Sequence, residues 1–216
     1  MDLQLANKVA IVTGASRGIG RSIAQTLAAE GMSVTLVART KSQLEELAGS
    51  IATSSLVQAV DLRLPDSPSA VVAATVEKFG RVDLLVNNAG ATKRGDFFEL
   101  TDMDWADGFG LKFFGAMRCC RAAWSHLEAA KGSIVNIAGI GGRTGTAEFT
   151  IGGTVNAAML NLTKALADRG VRDGVRVNAI NPGGVATERL QVRLRSFANE
   201  RGVDLSKAEQ EMAQAF

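Results

Sequence analysis

The chain has 216 residues, 46% hydrophobic and 21% charged, which suits one compact domain with a sizeable core. A formal charge of +2, dispersed along the chain, argues against a nucleic-acid partner. No apolar run reaches the roughly 18–20 residues of a membrane span, and MDLQLANKVAIVTG lacks the basic start of a secretory signal. The two cysteines, Cys119 and Cys120, are adjacent and build no disulfide framework. They are expected to be small buried thiols on a helix in a reducing cytoplasm.

Short Val/Ile-rich runs alternate with segments of helical period. Lys8–Gly14 is expected to be a buried strand and Gly20–Gly31 a helix stopped by glycine. A second strand, Ser33–Ala38, precedes the amphipathic helix Ser42–Ile51; a third, Leu56–Leu62, precedes a helix over Pro68–Gly80. Val82–Gly90 is a fourth strand with its turn, and Met103–Ala130 one long helix. Gly132–Gly139 forms the fifth strand, Gly152–Arg169 the fifth helix and Val175–Gly184 the sixth strand. A helical pattern then runs from Ala186 to Phe216. Apolar strands separated by helix-length connections predict an α/β fold, a doubly wound parallel sheet with helices on both faces.

TGASRGIG, Thr13–Gly20, follows the first strand and opens the first helix. Gly14, Gly18 and Gly20 allow a sharp turn and close approach to a pyrophosphate at a helix N-terminus.

With NNAG (Asn87–Gly90) and a late NPG (Asn181–Gly183), this pattern resembles the short-chain dehydrogenase/reductase family from about Leu5 to Thr187. The resemblance implies one Rossmann-type domain, 1–216, holding a nicotinamide dinucleotide. Ser16, Arg17 and Ile19 would join the glycines at the phosphates. Asp61 and Leu62 would touch adenine, and Asn88 and Gly90 the adenine ribose region. Pro182, Gly183 and Thr187 would hold the nicotinamide end. LVART, at the end of the second strand, has no carboxylate for a ribose 2′-hydroxyl but offers Arg39, with Arg17 in the glycine turn. Two guanidiniums there suit a 2′-phosphate, so NADP(H) is expected over NAD(H); the alternative is two solvated arginines.

Members of the family reduce carbonyls with a tyrosine acid, a lysine four residues later, a serine and a helical asparagine. A tyrosine of unperturbed pKa about 10 needs a neighbouring cation to work near neutrality. The present chain contains no tyrosine. In register, the serine, tyrosine, lysine and asparagine positions hold Gly139, Gly152, Asn156 and Lys112. Asn156 shares a helical face with residue 152 and can hydrogen-bond a ribose hydroxyl, but it cannot stabilise a phenolate. Lys112 is the candidate replacement acid–base, or else an amine that fills space. Glu148 and Thr150 lie where the family meets substrate, and His126 falls away from the expected site. Gly152–Gly153 predicts a loose or capped first turn, with Thr150 or Thr154 as cap. GIGG, Gly139–Gly142, predicts close backbone approach, and the vacated pocket is either open or collapsed.

Two functions follow from these residues: an NADP(H)-dependent oxidoreductase with atypical chemistry, or a dinucleotide-binding protein without turnover. The resemblance also implies a homodimer or homotetramer packed through the fourth and fifth helices. Residues 188–216 would form a substrate lid. The family's final helix and edge strand are missing from this sequence, and the expectation is that the natural chain continues.

Overall fold

The computed structural model describes residues 2–214; the lid expectation's final residues, 215 and 216, lie outside them. Its strands are β1 Val9–Thr13, β2 Ser33–Ala38, β3 Ser55–Ala59, β4 Leu84–Asn87, β5 Ser133–Ile137 and β6 Arg176–Ile180. They are all parallel, in the order β3-β2-β1-β4-β5-β6. The order reverses between β1 and β4, where an open α/β sheet leaves a crevice at the strands' carboxyl ends.

Both faces of the sheet are covered, which is why the strands read as continuous apolar runs rather than alternating ones. Ile11, Leu85, Ile134 and Val177 pack with Val71 and Val72 of α3 (Ser67–Phe79) and with Cys119, Ala123 and Leu127 of α5 (Ala116–Ala130). Ala10, Val12, Leu36 and Val86 pack instead with Ala24 of α1 (Gly18–Ala29) and Leu44 and Leu47 of α2 (Lys41–Ser50). Burial in the first cluster pushes both thiols, Cys119 and Cys120, up to about 12.

Three of the expected boundaries moved for a local reason. β3 ends at Ala59 instead of Leu62 because Asp61 Oδ1 accepts from Arg63 N at 3.0 Å and turns the chain. The helix expected over Met103–Ala130 is divided into α4 (Asp102–Phe109), a π-helical turn (Gly110–Gly115) and α5. At Gly115 a side chain would stand 3.2 Å from the Leu62 carbonyl, so the wide turn runs against that loop. α6 spans Thr150–Asp173 and starts two residues early, with Phe149 in the cap position and no side-chain cap. Neither Thr150 nor Thr154 caps it: Thr150 is the first helical residue, its hydroxyl buried and unpartnered, and Thr154 is exposed. Its first turn is regular despite the two glycines, because both are packed in the interior.

The chain divides between Pro182 and Gly183 into two compact units. The first holds the whole sheet. The second holds α7 (Glu188–Arg201) and α8 (Leu205–Gln214), separated by Gly202 at φ +63°. Asp204 Oδ1 then accepts from Lys207 N at 2.8 Å and starts α8 afresh, breaking the helix expected from Ala186. Among the described residues no helix is long and apolar enough to cross a membrane.

Candidate functional site

The crevice at the β1/β4 reversal is floored by the glycine turn. Gly14 and Gly18 have φ +67° and +55°, which glycine adopts without strain. A Cβ on Gly20 would lie 2.2 Å from the Gly14 carbonyl oxygen, so α1 and the turn approach more closely than any side chain allows. Asn88 braces the turn, its Nδ2 donating to the carbonyls of Thr13 (3.0 Å) and Gly14 (3.2 Å). The Thr13 hydroxyl accepts from Asn88 N and Ala89 N and donates to Val86 O, joining the ends of β1 and β4.

Arg17 is the extended residue ahead of α1 and offers no side-chain cap, leaving the helix's first N–H groups to an anion. β2 ends beside this turn: Val37 pairs with Thr13, and its carbonyl accepts from Ala15 N at 3.1 Å. Two residues on is Arg39, exposed like Arg17, while Ser16 and Ile19 are half-buried. The geometry therefore brings Gly14, Ser16, Arg17, Gly18, Ile19, Gly20 and Arg39 to one end of the sheet. Donors at the turn and two guanidiniums with no carboxylate at the β2 end fit a phosphorylated dinucleotide.

Asp61 and Leu62 follow β3 at the same end, with their side chains committed elsewhere. Asp61 Oδ2 pairs with Arg63 Nη1 at 3.0 Å, and Leu62 lies in the core. Any contact of Leu62 with adenine falls to its backbone. Asn88 is engaged with the glycine turn, and Gly90 is covered by the stem of Lys112, whose Cδ would be 2.9 Å from an added Cβ. Pro182 accepts from Ile140 N at 3.2 Å in the first unit; Gly183 and Thr187 belong to the second.

The profile of the short chain dehydrogenase family matches residues 8–196. The chain belongs to the short-chain dehydrogenase/reductase family of oxidoreductases. It is 35% identical over 204 residues to the short-chain reductase protein NovJ of Streptomyces niveus, covering 93% of this chain and 78% of that protein. It is 32% identical over 187 residues to the 3-oxoacyl-[acyl-carrier-protein] reductase FabG of Vibrio cholerae, covering 86% and 77%. Among solved structures, L-sorbose reductase from Gluconobacter frateurii complexed with NADPH and L-sorbose superposes with TM-score 0.93 at 32% identity. That match covers 100% of this chain and 84% of the reductase.

The four positions in register with the family's relay are closely packed. Gly139 sits at φ +154°, a conformation that strains any side chain, and a Cβ there would meet Asn156 Nδ2 at 2.8 Å. Gly139 N donates to Asn181 Oδ1 at 3.2 Å. At Gly152, an added Cβ would lie 2.0 Å from Cε2 and Cζ of Phe149. The aromatic ring occupies the space where a side chain at residue 152 would start. The same ring lies 3.0 Å from an added Cβ at Gly141, and an added Cβ at Gly142 would lie 2.8 Å from the Asn156 backbone, the close approach expected of GIGG.

Asn156 is buried, and its Oδ1 has no partner among the described atoms. The ammonium of Lys112, in the π-helical turn, donates to Ala138 O at 2.7 Å, one residue before Gly139. Glu148 is exposed in the short turn Ala147–Phe149. His126 lies near the end of α5, toward the amino ends of the strands and away from the crevice, because β5 starts only three residues after that helix ends.

Sequence reasoning missed three participants. Phe149 gave no signal because its partner, Gly152, is an absence. Arg94, in the loop after β4, lies with its guanidinium carbon 3.9 Å from the Phe149 ring centroid. Asn87 anchors a buried chain beneath the site: its Nδ2 donates to Cys120 Sγ and Asn136 Oδ1, and Asn136 Nδ2 donates to Thr163 Oγ1. The NNAG and IVNI asparagines were visible in the sequence; their lateral pairing across β4 and β5 required the sheet order.

Proposed function

We propose that this chain is an NADP(H)-dependent oxidoreductase that acts on a carbonyl or alcohol without the family's proton relay. The observation that carries the cofactor reading is that Arg17 and Arg39 both lie exposed at the glycine-turn end of the sheet, where the β2 end has no carboxylate. The N–H groups of Gly18, Ile19 and Gly20 would hold the pyrophosphate, and the two guanidiniums the 2′-phosphate. The relation to an NADPH-bound L-sorbose reductase supports this choice of dinucleotide. When bound, NADPH supplies the hydride.

This chain's own residues do the rest. Of the four tetrad positions only Lys112 carries a group that can move a proton, so the proton comes from Lys112 or from solvent. Buried Asn156 presents an unpartnered Oδ1 that can accept from a ribose hydroxyl. Two exposed arginines on a 2′-phosphate predict that NADPH binds at least about tenfold more tightly than NADH. Arg17→Gln with Arg39→Gln is expected to erase that preference and leave NADH binding unchanged, read by fluorescence titration. Comparable affinity of the wild type for both dinucleotides sinks the assignment.

A second reading, a dinucleotide-binding protein without turnover, is favoured by one observation: the Phe149 ring stands where a residue-152 side chain would start. The two readings differ in whether bound NADPH is consumed.

We also propose a homodimer or homotetramer in a reducing cytoplasm. Phe114, 41% exposed beside α5, and Val171, 86% exposed on α6, are apolar groups left for a second copy to cover, and the two buried thiols suit reducing conditions. Light scattering is expected to give two or four times the 22.6 kDa chain mass; a monomeric mass refutes the oligomer.

A further inference from the structure

The loop that follows β3 is fastened by a chain of charges. Asp61 Oδ1 accepts from Arg63 N at 3.0 Å and Asp61 Oδ2 from Arg63 Nη1 at 3.0 Å, so one residue grips both carboxylate oxygens. The same guanidinium sets its Nε 2.8 Å from Asp107 Oδ1 of α4, as an ion pair. From α5, Arg118 Nη1 donates to the Arg63 carbonyl at 3.1 Å. Leu62 is buried in the core, and a Cβ at Gly115 would stand 3.2 Å from its carbonyl oxygen. The Asp61 side chain is nevertheless 29% exposed, so the gripped carboxylate stays open to a ligand.

The clamp stands beside the cofactor cradle. Ala38 of β2 pairs with Ala59 of β3, and Val60 N donates to Ala38 O at 3.0 Å. Arg39 is one residue past the end of β2 and Asp61 two past the end of β3, neighbouring positions at the carboxyl end of the sheet. A dinucleotide whose 2′-phosphate meets Arg39 carries its base on that same ribose, within reach of the next loop. Each carboxylate oxygen has two acceptor sites; those of Asp61 each spend one on Arg63 and keep another. Adenine offers a donor there, its exocyclic amino group, whereas a 6-oxo purine offers an acceptor that a carboxylate repels. A carboxylate gripped at both oxygens cannot swing, so its remaining acceptor sites keep one direction.

Building on the NADP(H) reading, we infer that Arg63 is a positioning residue for the dinucleotide's base: it aims Asp61 at the amino group of adenine, so that the site selects a 6-amino purine over a 6-oxo purine. Asp107 and Arg118 hold Arg63 to α4 and α5.

The test is fluorescence titration with NADPH and with its reduced hypoxanthine counterpart, in which an oxo group replaces the amino group. The wild type is expected to bind NADPH roughly tenfold or more tightly. Asp61→Asn should abolish that preference, because an amide serves either base. Arg63→Gln should weaken NADPH severalfold while the hypoxanthine dinucleotide stays within about twofold, since only adenine uses the aimed carboxylate. Arg63→Lys should retain part of the preference, because the charge survives and the planar fork does not. Asp107→Asn, at a carboxylate that is 53% exposed, should shrink it in the same direction. Equal binding of the two dinucleotides by the wild type overturns the proposal. So does an Arg63→Gln variant that weakens both by the same factor, the result a merely structural clamp would give. Titration of ADP against IDP reads the same base preference with neither nicotinamide nor 2′-phosphate present. Failure of NADPH to bind would therefore refute the cofactor reading, while ADP that binds no better than IDP overturns the role of Arg63.

Discussion

Gly152→Ala is expected to destabilise the protein by about 1–3 kcal/mol, lowering the melting temperature by roughly 3–10 °C. Two effects oppose each other in this substitution. Alanine in place of glycine inside a helix favours folding by about 1 kcal/mol, but its Cβ would stand 2.0 Å from two atoms of the Phe149 ring. The ring is hemmed in by Gly141 and by the Arg94 guanidinium, so the clash is expected to win. Removing the ring should reverse the sign. In a Phe149→Ala background, Gly152→Ala should stabilise by about 1 kcal/mol, because only the helix preference remains. Thermal melts of the four proteins measure the coupling, and the same destabilisation in both backgrounds would show that Phe149 does not fill the niche.

Restoring the family's relay demands more than four substitutions, for the same reason. Lys112→Asn, Gly139→Ser, Gly152→Tyr and Asn156→Lys together leave Phe149 colliding with the new tyrosine, and this variant is expected to gain no activity. Adding Phe149→Ala frees the niche. The five-site variant is expected to oxidise NADPH on a carbonyl panel about 10²–10⁴-fold faster than wild type, the usual contribution of a positioned general acid. Its weakest point is residue 139, where φ +154° must relax before a serine is accommodated. No gain over wild type would place the loss in the backbone around Gly139 rather than in the missing side chains. The effects should not add residue by residue, because a relay acts as a unit.

The sheet was legible in the sequence because strands buried on both faces are short, apolar and bounded by glycine, and β2 was placed to the residue. The cofactor cradle was legible from the spacing of Gly14, Gly18 and Gly20 after an apolar run. The register between β5 and α6 has no gaps, which is what assigned Gly139, Gly152 and Asn156 to the relay positions from the sequence. What packs against Gly152 was not legible. Phe149 and Gly152 are three residues apart, yet their contact depends on a short helical turn ending where α6 begins. Arg94 reaches the same ring from a loop more than fifty positions earlier, and no period or propensity links the two. Division of the long helix by a π-helical turn left no mark either: Gly110 and Gly115 cost helix propensity but do not say which way the backbone widens. The break at Gly202 was visible in retrospect as a glycine followed by a capping Asp204.

With Gly139, Gly152, Asn156 and Lys112 at the relay positions, the protein is expected still to transfer a hydride. The direct measurement is the 340 nm absorbance of NADPH bound to the wild-type protein, followed on addition of a carbonyl panel, against the same mixtures without protein. Slow consumption of bound NADPH above the protein-free rate is expected with at least one carbonyl. NADPH that binds but persists at the protein-free rate across the panel contradicts it and leaves a dinucleotide-binding protein.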